Sequence, residues 1–422
     1  MSTAVGARRQ RVIWSITYAH WLCYGGLVAV LICAYMTILV HGAFLGVDFA
    51  CFRAASKVLA QGGNPYDFGQ LWHAENALYN LPHHVRPGTP AYYALNRYYN
   101  PPLFATLLWP LARLPYAVGY GIYATIAGAL AALGAWFVVQ SLGWTRHRQA
   151  AIALTLVSPC VFLTVWNGQQ STLLLAALGL ALYSLRRGHP GLAGAALALG
   201  WVKPHLLVPI ALAVPLVGLS GRAMLRMYGG FAITTMLGVV ATAVLSGPAS
   251  ITAWLHTLFG YTGYVDAIQN YLPSLSGMLL VLLPHPWNRS AAMAVLVCGL
   301  IVMAVVVWRA RAGRDVWTTT AVLMAAWLLF TPFAHTNDDV LLVLPLAVAW
   351  GSTGSSRLRP LPVLGLWSLS TLSLAFLLPG PYKLLGVVPP ALAFLAALRV
   401  WAQAHVPAPA RHSQGTDRAR AA

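Results

Sequence analysis

The chain has 422 residues, of which 59% are hydrophobic and only 8% are charged. A soluble domain is usually about a quarter charged, so this composition excludes a chain of soluble domains and indicates a polytopic membrane protein. The net charge of +18 does not indicate nucleic acid binding, because the basic residues are spread between apolar runs, as membrane topology signals are.

Apolar stretches near the roughly 20 residues that cross a bilayer core recur along the sequence. We predict an all-α polytopic membrane protein with about twelve transmembrane helices. The predicted spans are 13–40, 115–142, 150–166, 169–186, 190–202, 204–218, 223–246, 290–308, 316–333, 338–351, 361–379 and 384–401. Residues 1–402 form one integral membrane domain in this prediction, and 403–422 form a disordered cytoplasmic tail.

The basic residues set the predicted orientation. With Arg8, Arg9 and Arg11 in the cytoplasm, alternation of the spans places most Lys and Arg residues on the cytoplasmic side, as the positive-inside rule requires. Two large loops, 41–114 and 247–289, then lie on the outer side. This holds only if the short apolar pieces inside them, at 102–113 and 272–284, do not cross the membrane.

The first outer loop contains an amphipathic stretch, DFACFRAASKVLA, at residues 48–60. Such a pattern is typical of a helix that lies in the headgroup region of a bilayer, so we predict that the outer loop carries an interfacial helix. One face carries Phe49, Phe52, Ser56 and Leu59, and another carries Arg53 and Lys57.

Most of the unusual polar residues fall on the outer side in this threading. Asp48 follows the first span, and WNGQQS at 166–171 joins two spans in a tight turn. WVKPHLL at 201–207 interrupts an apolar run, and FAHTNDDVLL at 333–342 lies between two further spans. This distribution predicts that one side of the membrane carries the chemistry.

Each of these residues also has a purely structural explanation. Asp48 could be a helix N-cap. Lys203 and Pro204 could mark a kink whose ammonium group extends to the headgroups. His335, Gln169 and Gln170 could serve packing alone, and the adjacent carboxylates at 338 and 339 favour helix capping over metal binding.

Several motifs occur in an order that resembles a known family. They are the aspartate after the first span, CFRAASKVLAQGGNPYD, YYNPPLFATLLWPLARLP, NGQQSTLLLAALGLAL, GWVKPHLLV and a late loop that contains histidine. Over roughly residues 10–400, the sequence resembles the polyprenol-phosphate-mannose-dependent alpha-mannosyltransferases of glycosyltransferase family 87, within the glycosyltransferase-C superfold.

The resemblance implies an inverting membrane glycosyltransferase. It would move a hexose, mannose by the family's description, from a polyprenyl-phosphate donor to a hydroxyl group of a glycolipid or glycan acceptor, with Asp48 as catalytic base. The expected partners are this donor, this acceptor and membrane lipids, without nucleic acid. The expected location is a bacterial inner membrane, with the active site on the periplasmic or extracellular side and both termini cytoplasmic.

The leaving phosphate gains negative charge in the transition state, so cations on the outer side are candidates to bind it. These candidates are Lys203, His335 and Arg289. Candidates for contacts with the sugar or the acceptor are Gln169, Asn167, Asn337 and Asp338. Because the sequence contains no GxGxxG, P-loop or paired-cysteine metal motif, we predict neither a cofactor nor a bound metal.

Two other classes of function remain open at this point. A secondary transporter of a small polar or anionic solute also has broken helices at its binding site. Against it, the sequence has no convincing internal repeat, and its acids gather at one side rather than at the midplane. The other hypothesis is a non-catalytic assembly or lipid-scrambling factor, in which Asp48 is only a helix cap.

Overall fold

The computed structural model describes residues 46–79, 97–143, 148–260, 273–311, 315–351, 372 and 380–405. Within these ranges the chain is helical and contains no strand, which confirms the all-α prediction. The predicted spans at 13–40 and, apart from Leu372, at 361–379 lie outside these ranges. So does the predicted tail beyond residue 405.

The described residues form 17 α-helices. They are α1 (Val47–Ala60), α2 (Phe68–Tyr79), α3 (Pro102–Leu107), α4 (Trp109–Ala112), α5 (Tyr116–Ser141), α6 (Arg148–Leu156), α7 (Pro159–Asn167), α8 (Ser171–Arg186), α9 (Pro190–Ala198), α10 (Pro204–Ala213), α11 (Gly221–Ser246), α12 (Pro248–Gly260), α13 (Leu275–Leu282), α14 (Trp287–Ala310), α15 (Val316–Phe330), α16 (Val343–Gly351) and α17 (Val388–His405). The 3₁₀ segments are Leu199–Val202, Val214–Leu216, Thr336–Leu342 and Gly380–Val387. Proline begins many of the helices, at the position where its missing N–H is not needed.

Four segments of the described chain are long and apolar enough to cross a membrane. They are α5, α11, α14 and the stretch 384–404 that contains most of α17. Shorter apolar helical segments cover 171–186, 190–202, 204–216 and 316–330. The predicted number of twelve spans is therefore not confirmed. The helical elements themselves occur close to where the apolar runs predicted them.

Some predicted spans are broken into two pieces. The span at 150–166 consists of α6 and α7, because the Ser158 side chain caps the N-terminus of α7 and Pro159 cannot continue α6. The apolar piece at 102–113 forms two helices of six and four residues. The piece at 272–284 contains an eight-residue helix. Helices of these lengths are too short to cross a bilayer upright.

The protein core is built mainly from the shorter helices. Thirteen of the 15 residues of α15 are buried, and α8 packs against α5 and α9. By contrast, α11 packs against α9 but has only Met227 and Thr242 buried among its 26 residues. Its other apolar side chains, such as Ile233 and Val244, are exposed. Such a large exposed apolar surface is suited to contact with lipid.

Helix α1 differs from the predicted interfacial helix. Nine of its 14 residues are buried, and the helix packs against α2, α3, α4 and α7. Arg53, predicted to lie on the basic face of a helix in the headgroup region, is 9% exposed and donates a hydrogen bond to the Leu114 carbonyl at 2.8 Å. The prediction of a helix in the headgroup region is therefore wrong at Arg53. Neighbouring protein, rather than lipid headgroups, surrounds this part of the helix.

Candidate active site

Asp48 lies inside the first turn of α1 and is not its N-cap. The N-cap residue is Gly46, in the left-handed region with φ 75°, and no side chain caps the helix. The structural explanation of Asp48 as an N-cap is therefore wrong. The side chain is half-buried and faces other polar groups instead.

Three tyrosines of α5 hold the start of α1 in place. The Phe49 ring lies among the rings of Tyr116, Tyr120 and Tyr123, with centroid distances of 5.8, 5.9 and 5.0 Å. The tyrosines are spaced by four and three residues, so they share one helix face. Phe49 is next to Asp48 in the chain, and this aromatic contact consequently fixes the position of the carboxyl group.

The same tyrosines donate hydrogen bonds to the backbone just before Asp48 and to the backbone at the end of α7. The Tyr116 hydroxyl donates to the Gly46 carbonyl at 2.9 Å, and the Tyr120 hydroxyl donates to the Val165 carbonyl at 2.8 Å. The Tyr123 hydroxyl donates to the Gln169 carbonyl at 3.2 Å. One face of α5 therefore aligns the start of α1 with the turn after α7.

Two glycines allow this close approach. Gly168 ends α7 in the left-handed region, φ 74°, and a Cβ at this position would lie 2.6 Å from the Phe49 Cβ. The Gly46 N–H donates to the Trp166 carbonyl at 2.7 Å. The glycine of WNGQQS therefore lets the turn lie directly against α1.

This packing places Gln169 next to Asp48. Its side chain forms a hydrogen bond to the Asp48 carboxyl group. Burial raises the pKa of this carboxyl to about 6, although the Gln169 hydrogen bond and the charge of Lys203 act in the opposite direction. A carboxyl group with this pKa is ionised at neutral pH and is suited to act as a general base.

Lys203 forms a buried ion pair with Asp338. Its ammonium nitrogen lies 2.7 Å from a carboxylate oxygen of Asp338, and the two side chains are 8% and 0% exposed. The chain leaves helical geometry at Lys203, with φ −133°, and Pro204 begins α10. The predicted helix break is confirmed, whereas the alternative structural explanation, in which the ammonium extends to the headgroups, is wrong because the ammonium is buried against Asp338.

Ser171 connects this ion pair to the turn after α7. Its hydroxyl group donates to the same Asp338 oxygen at 2.5 Å and accepts from Lys203 at 3.2 Å. The Asn337 side chain also donates to this hydroxyl at 3.1 Å. Ser171, the last residue of WNGQQS, was not among the predicted site residues, although it begins α8 immediately after the two glutamines.

Two hydrogen bonds between His335 and Asp338 close the loop that contains them. The His335 N–H donates to the second Asp338 oxygen at 2.9 Å, and the Asp338 N–H donates to the His335 carbonyl at 2.8 Å. Burial lowers the pKa of the His335 imidazole to about 4, despite the opposing charge of Asp338. His335 is therefore neutral at neutral pH and can contribute a hydrogen bond but not a positive charge.

The sequence matches glycosyltransferase family 87 over residues 98–334, more than half of its length. The chain belongs to glycosyltransferase family 87. This membership indicates a membrane glycosyltransferase. The matched range contains Gln169, Ser171 and Lys203, whereas Asp48 and Asp338 lie outside it. None of the curated proteins compared with the chain matches it.

Six of the predicted site residues of this glycosyltransferase are connected to one another, and Arg289 and Asn167 are not among them. Asp48, Gln169, Lys203, His335, Asn337 and Asp338 are joined by hydrogen bonds or by direct electrostatic interaction. Arg289 lies in the first turn of α14 and is exposed, so it is not part of the buried cluster. Asn167 is half-buried at the end of α7.

The two glutamines of WNGQQS have buried side-chain polar atoms without a hydrogen-bond partner in the described part of the glycosyltransferase. They are the side-chain oxygen of Gln169 and both side-chain polar atoms of Gln170, which is 3% exposed. Buried polar groups normally find a partner. These atoms therefore retain hydrogen-bonding capacity that the described part of the fold does not use.

Glu75, which was not among the predicted site residues, is a second carboxyl group close to Asp48. It is 1% exposed and forms a hydrogen bond with Cys51, which lies one turn after Asp48 on α1. Burial raises the Glu75 pKa to about 8, and the charge of Asp48 adds to this shift. Glu75 is consequently protonated at neutral pH, so it does not compete with Asp48 for protons.

Proposed function

We propose that this glycosyltransferase transfers a hexose, with mannose as the first choice, from a polyprenyl-phosphate donor to a hydroxyl group of a glycan or glycolipid acceptor. Asp48 is the general base, and the reaction takes place on the outer side of a bacterial inner membrane. The observation that carries the proposal is the position of Asp48. Its carboxyl group is bound to Gln169 and lies beside the Lys203–Asp338 pair in a family of glycosyltransferases.

The surroundings of Lys203 support a lipid-linked donor. Lys203 lies at the break between two apolar helical segments, 190–202 and 204–216. The neighbouring helix α11 exposes apolar side chains over most of its length. In the proposal, the polyprenyl chain lies along this apolar surface while its phosphate stays near the helix break.

The chemistry is a single displacement at the anomeric carbon. The acceptor oxygen forms the new bond to carbon as its proton moves to the Asp48 carboxylate. The bond from carbon to the phosphate oxygen breaks, and the polyprenyl phosphate leaves with the electron pair. Attack opposite the leaving group inverts the anomeric centre, through an oxocarbenium-like transition state.

Lys203 is suited to stabilise the leaving phosphate. An ammonium group has three N–H donors, and two of them are directed to Asp338 and Ser171. The third is available for a phosphate oxygen. Neutral His335 supplies a further hydrogen bond in this proposal rather than the positive charge expected from the sequence.

The charge of the cluster requires another cation for the phosphate. The two negative charges of ionised Asp48 and Asp338 exceed the single positive charge of Lys203. Asp339 is also buried, in the 3₁₀ segment that contains Asp338. Arg289 is the remaining cation among the predicted phosphate-binding residues. Because Arg289 is exposed, we propose that it meets the phosphate of the bound donor from outside the buried cluster.

The test is sugar transfer by the purified protein in detergent. A panel of polyprenyl-phosphate sugars is supplied with a membrane lipid extract, and mass spectrometry follows the product. We compare the native chain with Asp48→Asn, which preserves the shape and removes the base. Asp67→Asn is the matched control, since Asp67 is an exposed residue that accepts a hydrogen bond from the Gln70 N–H at the start of α2.

We expect Asp48→Asn to reduce transfer by about 10²–10⁴-fold, the usual contribution of a general base, and Asp67→Asn to leave it unchanged. The sugar that is transferred identifies the donor. Equal transfer by the native protein and a folded Asp48→Asn variant would refute the role of Asp48. Transfer from sugar nucleotides instead of lipid-linked sugars would refute the proposed donor class.

A further inference from the structure

A cavity lies beside the turn that joins α1 to α2. Its volume is about 260 Å³. It is bordered by the turn between α1 and α2, by the segment 97–101 that precedes α3, and by the end of α12. Its lining includes Tyr66, Phe68, Arg97, Tyr98, Tyr99 and His256.

Aromatic rings and nitrogen donors share the wall of this cavity. The Arg97 guanidinium lies 4.9 Å from the centre of the Phe68 ring, and Tyr66 and Tyr98 have ring centroids 5.5 Å apart. Arg97 and His256 are exposed and offer N–H groups. A pyranose ring has an apolar C–H face that packs on aromatic rings, and hydroxyl groups at its edge that accept from such donors.

The aromatic wall is fixed by bonds to the backbone. The Tyr66 hydroxyl donates to the Asn100 carbonyl at 2.7 Å, and the Tyr98 hydroxyl donates to the Pro101 carbonyl at 2.8 Å. The Trp254 indole donates to the Tyr99 carbonyl at 3.0 Å. A wall held in this way is formed before any ligand binds, which lowers the entropic cost of binding.

The cavity is close to the base. The Tyr98 ring touches the Phe52 ring, with centroids 6.3 Å apart. Phe52 follows Asp48 by four residues on α1, so the two side chains share a helix face and are separated by about 6 Å along the axis. The Asn100 side chain also donates to the Val202 carbonyl at 2.8 Å, directly before Lys203. The segment 97–101 thus connects the cavity both to the helix that carries Asp48 and to the helix break at Lys203.

We propose that this cavity binds one sugar ring of the acceptor, next to the ring whose hydroxyl group is attacked. The volume supports a single ring, because it is below the roughly 300–1,000 Å³ of pockets for drug-sized ligands. The distance along α1 places the bound ring beside the reacting ring, not at Asp48 itself. This inference rests on the proposed function, and it predicts that an acceptor with at least two sugar rings is preferred to a monosaccharide.

The first test measures sugar binding without catalysis. Saturation-transfer NMR in detergent records contacts of methyl α-mannoside, methyl α-glucoside and mannobiose with the protein. The test variant is Arg97→Ala/His256→Ala. The matched control is Arg187→Ala/His189→Ala, because both residues are exposed and Arg187 is also placed over an aromatic ring, that of Tyr183, at 5.3 Å.

We expect the native protein and the control to bind at least one of these sugars, and the test variant to bind it about tenfold more weakly, a loss of about 1.4 kcal/mol. Unchanged binding in the test variant, equal losses in both variants, or no sugar binding by the native protein would overturn the inference. Displacement of the sugar by inorganic phosphate would assign the cavity to an anion instead, and would overturn it as well.

The second test separates this inference from the proposed function. Asp48→Asn should bind the sugars as the native protein does, because the cavity does not include Asp48. In the transfer assay, the test variant should raise the KM for the acceptor with little change in kcat or in the KM for the donor. Sugar binding without transfer from polyprenyl phosphates would contradict the proposed function and leave the cavity assignment intact.

Discussion

Gly168 and Phe49 lie in such close contact that a Cβ on the glycine would be 2.6 Å from the Cβ of Phe49. The two residues come from α7 and α1, and their contact is what brings Gln169 to Asp48. The position of Asp48 therefore depends on a glycine that has no side chain to contribute to the polar cluster.

Gly168→Ala should reduce both stability and transfer. The left-handed backbone costs an alanine about 1–2 kcal/mol, and the overlap with Phe49 must in addition displace α1. Gly62→Ala is the control, since Gly62 has φ 75° but a methyl group added there would meet nothing within 4 Å. Thermal unfolding and transfer assays should show a larger loss for Gly168→Ala. Equal effects would mean that the contact with Phe49 is unimportant.

Lys203→Met and Asp338→Asn should each destabilise the protein by about 3–5 kcal/mol, because each leaves one charge of a buried pair without its partner. The double variant should lose less than the sum of the single losses. Thermal unfolding in detergent measures all three. Transfer should stay low in the double variant, since Lys203 also contacts the phosphate in the proposed mechanism. Additive losses would show that the two side chains do not interact.

Transfer should decline below about pH 6. The folded pKa of Asp48 is raised from 3.8 to about 6, so the base is protonated and inactive below this value, and kcat/KM falls about tenfold per pH unit. Gln169→Leu should move this acidic decline in kcat/KM, the acidic limb of the pH profile, to higher pH, because the Gln169 hydrogen bond lowers the Asp48 pKa. A limb near pH 4, or one that Gln169→Leu leaves in place, would contradict the assignment.

Glu75→Gln should make the protein more stable than the native chain, by an amount that grows with pH. The ordinary pKa of 4.5 rises to about 8 in the fold, so the folded state retains a proton that the unfolded state releases between these values. The native chain therefore loses stability from about pH 4.5 to 8, and the glutamine variant does not. Unfolding temperatures over this range measure the difference, and a constant difference would indicate that Glu75 is ionised in the fold.

Transfer should continue in the presence of EDTA. Among the residues that the structure describes, no three His, Cys, Asp or Glu side chains converge on a common point. The Asp338 oxygens are engaged by Lys203, Ser171 and the His335 N–H. A loss of transfer in EDTA that Mg²⁺ or Mn²⁺ restores would show that the reaction requires a metal.

Local sequence signals predicted the helices and their breaks well. Apolar runs predicted the positions of α5, α11, α14 and α15, and Pro204 marked the break at Lys203 because proline restricts the residue before it. The polar segments around Gln169, Lys203 and Asp338 were expected on one side of the membrane. In the structure these three segments meet in one cluster.

Other features depend on distant parts of the chain and could not be predicted in this way. The amphipathic pattern of α1 does not distinguish lipid headgroups from neighbouring protein, so the burial of Arg53 was missed. The partner of Lys203 lies 135 residues further along the chain, and no local pattern identifies it. The tyrosines of α5 did leave a signal, since their spacing in YAVGYGIY places them on one helix face.

The 135-residue separation of Lys203 and Asp338 in the sequence also determines when the two side chains can pair during biosynthesis. At about 5–20 residues per second, Lys203 is made about 7–27 s before the residue that neutralises it. During this interval the nascent chain already contains Asp48, Gln169 and the broken helix, but its lysine has no Asp338 to pair with. The polar cluster is thus completed late in translation, and a ribosome that stalls before residue 338 leaves Lys203 without its Asp338 partner.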